Sequence, residues 1–103
     1  MGGESSSNKP AAGAVVLPVD GLLDLHQFAP ADIPAVVPAY LEACREKGIL
    51  EVRIVHGKGR GILRRGLLAL LERLPEVVAV RPAGPGRGSW GAVIVTMRPA
   101  PRA

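Results

Sequence analysis

Between residues 20 and 98 the apolar positions recur with a period near two in some stretches and near 3.6 in others. "LLDLH" (Leu22–His26) reads as a short strand, poor in β-branched residues. In "ADIPAVVPAYLEACREKG" the positions Ile33, Val37, Tyr40, Leu41 and Cys44 recur at helical spacing, and Gly48 is a natural stop. Asp32 is placed to cap the start and Pro34 suits the first turn, while Pro38 removes one backbone hydrogen bond and predicts a kink. "EVRIVH" is a strand. "ILRRGLLALLERL" is an amphipathic helix, with Leu63, Leu67, Leu70, Leu71 and Leu74 inward and Arg64, Arg65, Glu72 and Arg73 outward, ended by Pro75. "VVAVR" and "AVIVTM" are strands joined by the glycine-rich hairpin loop "PAGPGRGSWG".

The predicted order is β-α-β-α-β-β. A helical connection between the first two strands makes them parallel. Two helices cover both faces of four strands poorly, so they are expected on one face, in a small α/β sandwich with a mixed sheet. Residues 1–14 read as a flexible, Gly/Ser-rich tail and 99–103 as a short one, leaving one domain over 15–98.

Composition narrows this picture. Apolar residues make up 48% of the 103-residue chain but aromatics only 3%, so the core must be aliphatic. A domain of this size has little room for a deep enclosed pocket, which puts function on a surface or shallow groove. The single cysteine, Cys44, excludes an internal disulfide and a cysteine-cluster metal site, and its spacing makes it a reduced core thiol. No apolar run approaches the roughly 20 residues of a membrane span, and no signal-peptide pattern is present, so a cytoplasmic protein is expected.

Charge is unevenly spread. Residues 1–52 carry three cations and seven anions, whereas residues 53–103 carry ten cations and two anions. That asymmetry fits a phosphate-bearing partner such as nucleic acid, and equally fits a solvated basic face.

Strand parity then places candidate chemistry. Asp24 and His26 are two apart and point away from Leu23 and Leu25. His26 would end the first strand and His56 the second, so parallel strands bring both to the carboxyl edge, where open α/β sheets place ligands. A carboxylate can hold an imidazole in one tautomer for general-base work, and three such groups could instead hold a divalent metal. A turn-capping Asp24 and a backbone-bonded His26 satisfy the same spacing. The loop "HGKGRG" lacks the spacing of a P-loop or a dinucleotide-binding turn. It does lead into a helix N-terminus, where N–H groups and the helix dipole favour an anion. Lys58, Arg60, Arg64 and Arg65 add positive charge there, and Gly57, Gly59 and Gly61 permit close backbone approach. Arg87 and Trp90 in "GRGSWGAV" could grip and stack on an unpaired base, or Trp90 could pack over the sheet edge.

Three co-linear stretches, "LLDLHQF", "VRIVHGKGRGILR" and "GSWGAVIV", resemble the Smr (small MutS-related) domain over about residues 20–98. The resemblance implies a fold similar to the C-terminal domain of bacterial translation initiation factor three. It also implies nucleic-acid binding, with nicking endonuclease activity on DNA or RNA in a repair, recombination or RNA-processing context. A non-catalytic nucleic-acid-binding module is the alternative. Asp24 and His26 match the motif associated with cleavage, and His56, Gly57, Lys58 and Gly59 match the H-G-x-G loop associated with substrate binding. In the nuclease reading, Asp24 orients His26 as base or metal ligand and His56 assists as acid or second ligand. Lys58, Arg60 and Arg64 hold phosphates there. Gln27 stands where the first motif usually has Gly, which would narrow access to the site. Metal dependence varies among members, so Mg or Mn is an open expectation.

Overall fold

The computed structural model describes residues 18–57, 61–83 and 91–101. Through them run β1 (Leu22–Asp24), α1 (Ile33–Glu46), β2 (Glu51–Val55), α2 (Ile62–Glu72), β3 (Val77–Pro82) and β4 (Ala92–Met97). The expected order holds. The strands lie side by side as β1-β2-β4-β3, with β1 parallel to β2 and the other two pairs antiparallel. The expected tail over 1–14 lies outside the described residues. The start of the other is held: Arg45 donates to the carbonyls of Arg98 and Pro99 at 3.1 and 3.2 Å.

Cross-strand register explains why both helices share a face. Leu23 pairs with Ile54 and Ile54 with Val93, while Val52 pairs with Val95 and Val95 with Val80. These side chains alternate with those of the other face, so they form one apolar surface. Ile33, Val36, Val37, Tyr40, Leu41 and Cys44 of α1 and Leu67 and Leu71 of α2 join that same cluster. Leu63, Leu70 and Leu74, expected inward, reach it only half-buried. Each fully buried leucine stabilises the fold by roughly 1.5–3 kcal/mol. The other face carries Arg53, Ile94 and an exposed Leu22, and an Arg81–Glu51 ion pair at 3.0 Å spans it. Cys44 is a free, buried thiol, as its spacing predicted, and burial pushes its pKa up.

Two local expectations are corrected. The first strand ends at Asp24, and Leu25–Gln27 form a 3-10 turn, so His26 does not end a strand. The reason is Asp24 itself: its carboxylate accepts the backbone N–H of His26 at 2.9 Å, which pulls the chain out of the extended form. Asp32 makes no capping bond, because it closes a preceding 3-10 turn, Pro30–Asp32, and has helical backbone angles. The helix α1 contains Pro38 in its interior. It stops at Gly48, whose φ of +79° and bonds from Gly48 N–H to Arg45 and Ile49 N–H to Cys44 make a Schellman ending.

Because β1 has three residues and sits at the sheet edge, something other than strand pairing must hold it. Tyr40 does so. Its hydroxyl is buried, accepts the N–H groups of Gly21 at 3.1 Å and Leu22 at 3.2 Å, and donates to the Leu22 carbonyl at 3.0 Å.

Candidate active site

Asp24 and His26 leave β1 at the carboxyl edge of the sheet as a locked pair. Asp24 Oδ1 lies 2.8 Å from His26 Nδ1 and also takes the His26 backbone N–H. An ionised carboxylate only accepts, so Nδ1 carries the proton and Nε2 presents a lone pair. The imidazole as a whole is 61% exposed. Leu23 and Leu25 on either side of Asp24 are buried, which anchors the pair from beneath.

The second motif arrives from β2. His56 follows Val55 directly, and its backbone N–H and that of Gly57 both donate to the Gly91 carbonyl, at 2.7 and 2.9 Å. Gly57 has φ of +87°, and a Cβ built there would stand 2.7 Å from His26 Nε2. The two motifs therefore touch: the bare Cα of Gly57 lies against the His26 ring. Two independent demands, a left-handed backbone and a close approach, leave only glycine suitable at this position.

His56 differs from His26 in its burial and in the partner of its Nδ1. It is 5% exposed, and its Nδ1 donates to the Gly57 carbonyl at 2.8 Å. Its Nε2 is buried and without a hydrogen-bond partner among the described residues. Burial lowers its pKa from the ordinary histidine value; the Gly57 bond opposes this, while Arg64 and His26 nearby lower it further. Burial thus favours the neutral form of His56.

Arg64 is exposed on the first turn of α2, close enough for its charge to act on His56. That turn has no side-chain cap among the described residues and no acidic residue, so the helix N-terminus and Arg64 favour an anion together. Lys58, Gly59, Arg60, Arg87 and Trp90, all named from the sequence, lie outside the described residues. Gln27 is exposed at the end of the 3-10 turn. A groove of about 470 Å³ between α2 and β3 includes Arg64 but none of Asp24, His26 and His56. Sequence reasoning missed the Gly91 carbonyl as the anchor of the loop; the glycine-rich turn before the last strand was its signal.

Among the described residues no three His, Cys, Asp or Glu side chains are grouped as ligands. Asp24 Oδ1 and both Nδ1 atoms are already committed to each other or to Gly57. Among the described residues no helix is long and apolar enough to cross a membrane.

Comparison with known proteins agrees with this geometry. The family model described as "Smr domain" matches residues 23–98. Endonuclease MutS2 of Thermus thermophilus is 35% identical over 77 residues, covering 75% of this chain and 10% of that protein. Endonuclease MutS2 of Halalkalibacterium halodurans is 40% identical over 76 residues, covering 74% of this chain and 10% of that protein. The chain thus spans about a tenth of the length of these curated relatives. The crystal structure of the Smr domain of Thermus thermophilus MutS2 superposes with a TM-score of 0.72 at 34% identity, covering 78% of this chain and all of that one. YdaL, a stand-alone small MutS-related protein from Escherichia coli, gives 0.71 at 28% identity, covering 79% and 66%. With the motifs, the sheet order and the match over 23–98 in agreement, the chain belongs to the Smr domain family.

Proposed function

We propose that this domain binds nucleic acid and nicks it, with Asp24 and His26 as the reacting pair. The observation that carries the reading is the locked tautomer: Asp24 holds the Nδ1 proton at 2.8 Å and leaves Nε2, on a ring that is 61% exposed, as base. His26 Nε2 takes a proton from water, or from a ribose 2′-hydroxyl in RNA. The freed oxygen bonds to phosphorus, one P–O ester bond breaks, and the departing oxygen takes its proton from solvent. Arg64, with Lys58 and Arg60, supplies positive charge to the phosphates, and Arg87 and Trp90 extend the contact. Relatives called endonuclease MutS2 support the chemistry. A cytoplasmic repair, recombination or RNA-processing role suits it.

A supercoiled plasmid and a structured RNA are the substrates to use, each with EDTA, Mg or Mn. Wild-type protein should nick at least one, and Asp24→Ala and His26→Ala should abolish nicking while leaving binding intact. Nicking that survives both substitutions would sink the reading. A non-catalytic binding module is the second reading, favoured by the burial of His56, which removes the acid candidate from the surface. Salt-dependent binding without cleavage under all three metal conditions would establish it.

A further inference from the structure

We infer that His56 and Gly57 are positioning residues for His26: a hydrogen bond from buried His56 fixes the Gly57 peptide, whose bare Cα holds the His26 ring. This deepens the nicking reading, because it concerns the same base, yet it stands on geometry that can be tested without any substrate.

Five contacts make the device. The Gly91 carbonyl accepts two N–H groups, from His56 and Gly57, and so pins the chain between them. His56 Nδ1 donates to the Gly57 carbonyl at 2.8 Å, fixing the peptide plane on the far side of the Gly57 Cα. That Cα then sits so close to His26 Nε2 that a methyl group would come within 2.7 Å. From the opposite side, Asp24 grips Nδ1 at 2.8 Å. His26 is therefore clamped between a carboxylate and a backbone wall, which matters because an exposed imidazole otherwise samples several rotamers. His56 itself cannot exchange a proton with a surface substrate as placed, since its Nε2 is buried and its Nδ1 is in use.

Gly48 provides an internal control. Gly57 and Gly48 have similar positive φ values, +87° and +79°, but a Cβ at Gly48 meets nothing within 4 Å. Gly48→Ala therefore carries the backbone strain alone, far from the site, whereas Gly57→Ala carries strain plus displacement of His26. For His56, the amide nitrogen of Asn can replace Nδ1 as donor, while Ala cannot.

The chain has two histidines, so side-chain ¹⁵N NMR resolves each one by deletion of the other. In the free protein, His26 should show the Nδ1–H tautomer. Gly57→Ala and His56→Ala should shift its resonances toward those of a mobile, mixed-tautomer ring, and Gly48→Ala and His56→Asn should not. In the nicking assay, Gly57→Ala and His56→Ala should lower kcat by roughly 100-fold with little change in KM, the penalty for misplacing a reacting group by about 1 Å. His56→Asn should recover to within about threefold of wild type. Unchanged His26 resonances in Gly57→Ala would overturn the inference. So would a His56→Asn variant as inactive as His56→Ala with native His26 resonances, because His56 would then act chemically. If no form of the protein nicks anything but the His26 resonances respond as stated, the clamp stands and the cleavage reading falls.

Discussion

Tyr40→Phe removes one oxygen atom from the core and should loosen the strand that carries the candidate base. The Gly21 N–H has Tyr40 Oη as its partner at 3.1 Å, while the Leu22 N–H shares its bond with Asp20 Oδ1, also at 3.1 Å. The Leu22 carbonyl loses a donor at 3.0 Å. The variant therefore takes the hydroxyl partner from the Gly21 amide and, at 3.3 Å, from the Asp20 amide, weakens the Leu22 amide, and leaves a carbonyl with one bond fewer. An orphaned buried donor costs about 1–3 kcal/mol, and these contacts are only partly buried, so about 2 kcal/mol of destabilisation is expected. In a domain of this size that lowers Tm by roughly 10 °C. Urea unfolding should show the loss as a lower midpoint at unchanged m-value. Hydrogen exchange should localise it: the Arg53 amide, which donates to the Gly21 carbonyl at 2.8 Å, should lose protection before the amides of β4. A stability change below about 0.5 kcal/mol with unaltered Arg53 protection would refute the view that this hydroxyl pins β1.

Further expectations follow from the same contacts. Leu67→Ala, at a fully buried position of α2, should destabilise by roughly 3 kcal/mol in urea at unchanged m-value. His56 has a folded pKa below its unfolded one, so the unfolded chain binds the proton first as pH falls. Its stabilising share is present above about pH 6.5, the unfolded value, and is lost below it down to the folded pKa. For one proton the slope is at most about 1.4 kcal/mol per pH unit, and urea titrations of His56→Asn between pH 5 and 7.5 should lack it. Arg64→Ala should weaken binding to a labelled oligonucleotide and flatten the logarithmic salt dependence by about one unit, read by fluorescence anisotropy.

The elements were readable where periodicity changed sharply, as between the alternation of β2 and the leucine spacing of α2. The end of β1 was not, and the reason is degeneracy. A strand and a strand followed by a 3-10 turn both bury Leu23 and Leu25 and expose Asp24 and His26, so the apolar pattern is the same for either. Only the carboxylate–amide bond from Asp24 to His26 distinguishes them. Asp32 failed as a cap for a related reason: its identity suits several turn positions, and the proline-led turn before α1 took it first. Convergence of "LDLH" and "HGKG" was legible because parallel strands joined through a helix leave their carboxyl ends together, whatever the side chains. The unequal roles of the two histidines were not legible, since both are the same residue at the same sheet edge. What separates them is long-range: the Gly91 carbonyl draws the His56–Gly57 peptide inward, burying one ring, while Asp24 holds the other in solvent. Gly57 was assigned by sequence to close approach of a phosphate. The close approach observed is to the His26 ring: a Cβ built at Gly57 would meet His26 Nε2 at 2.7 Å.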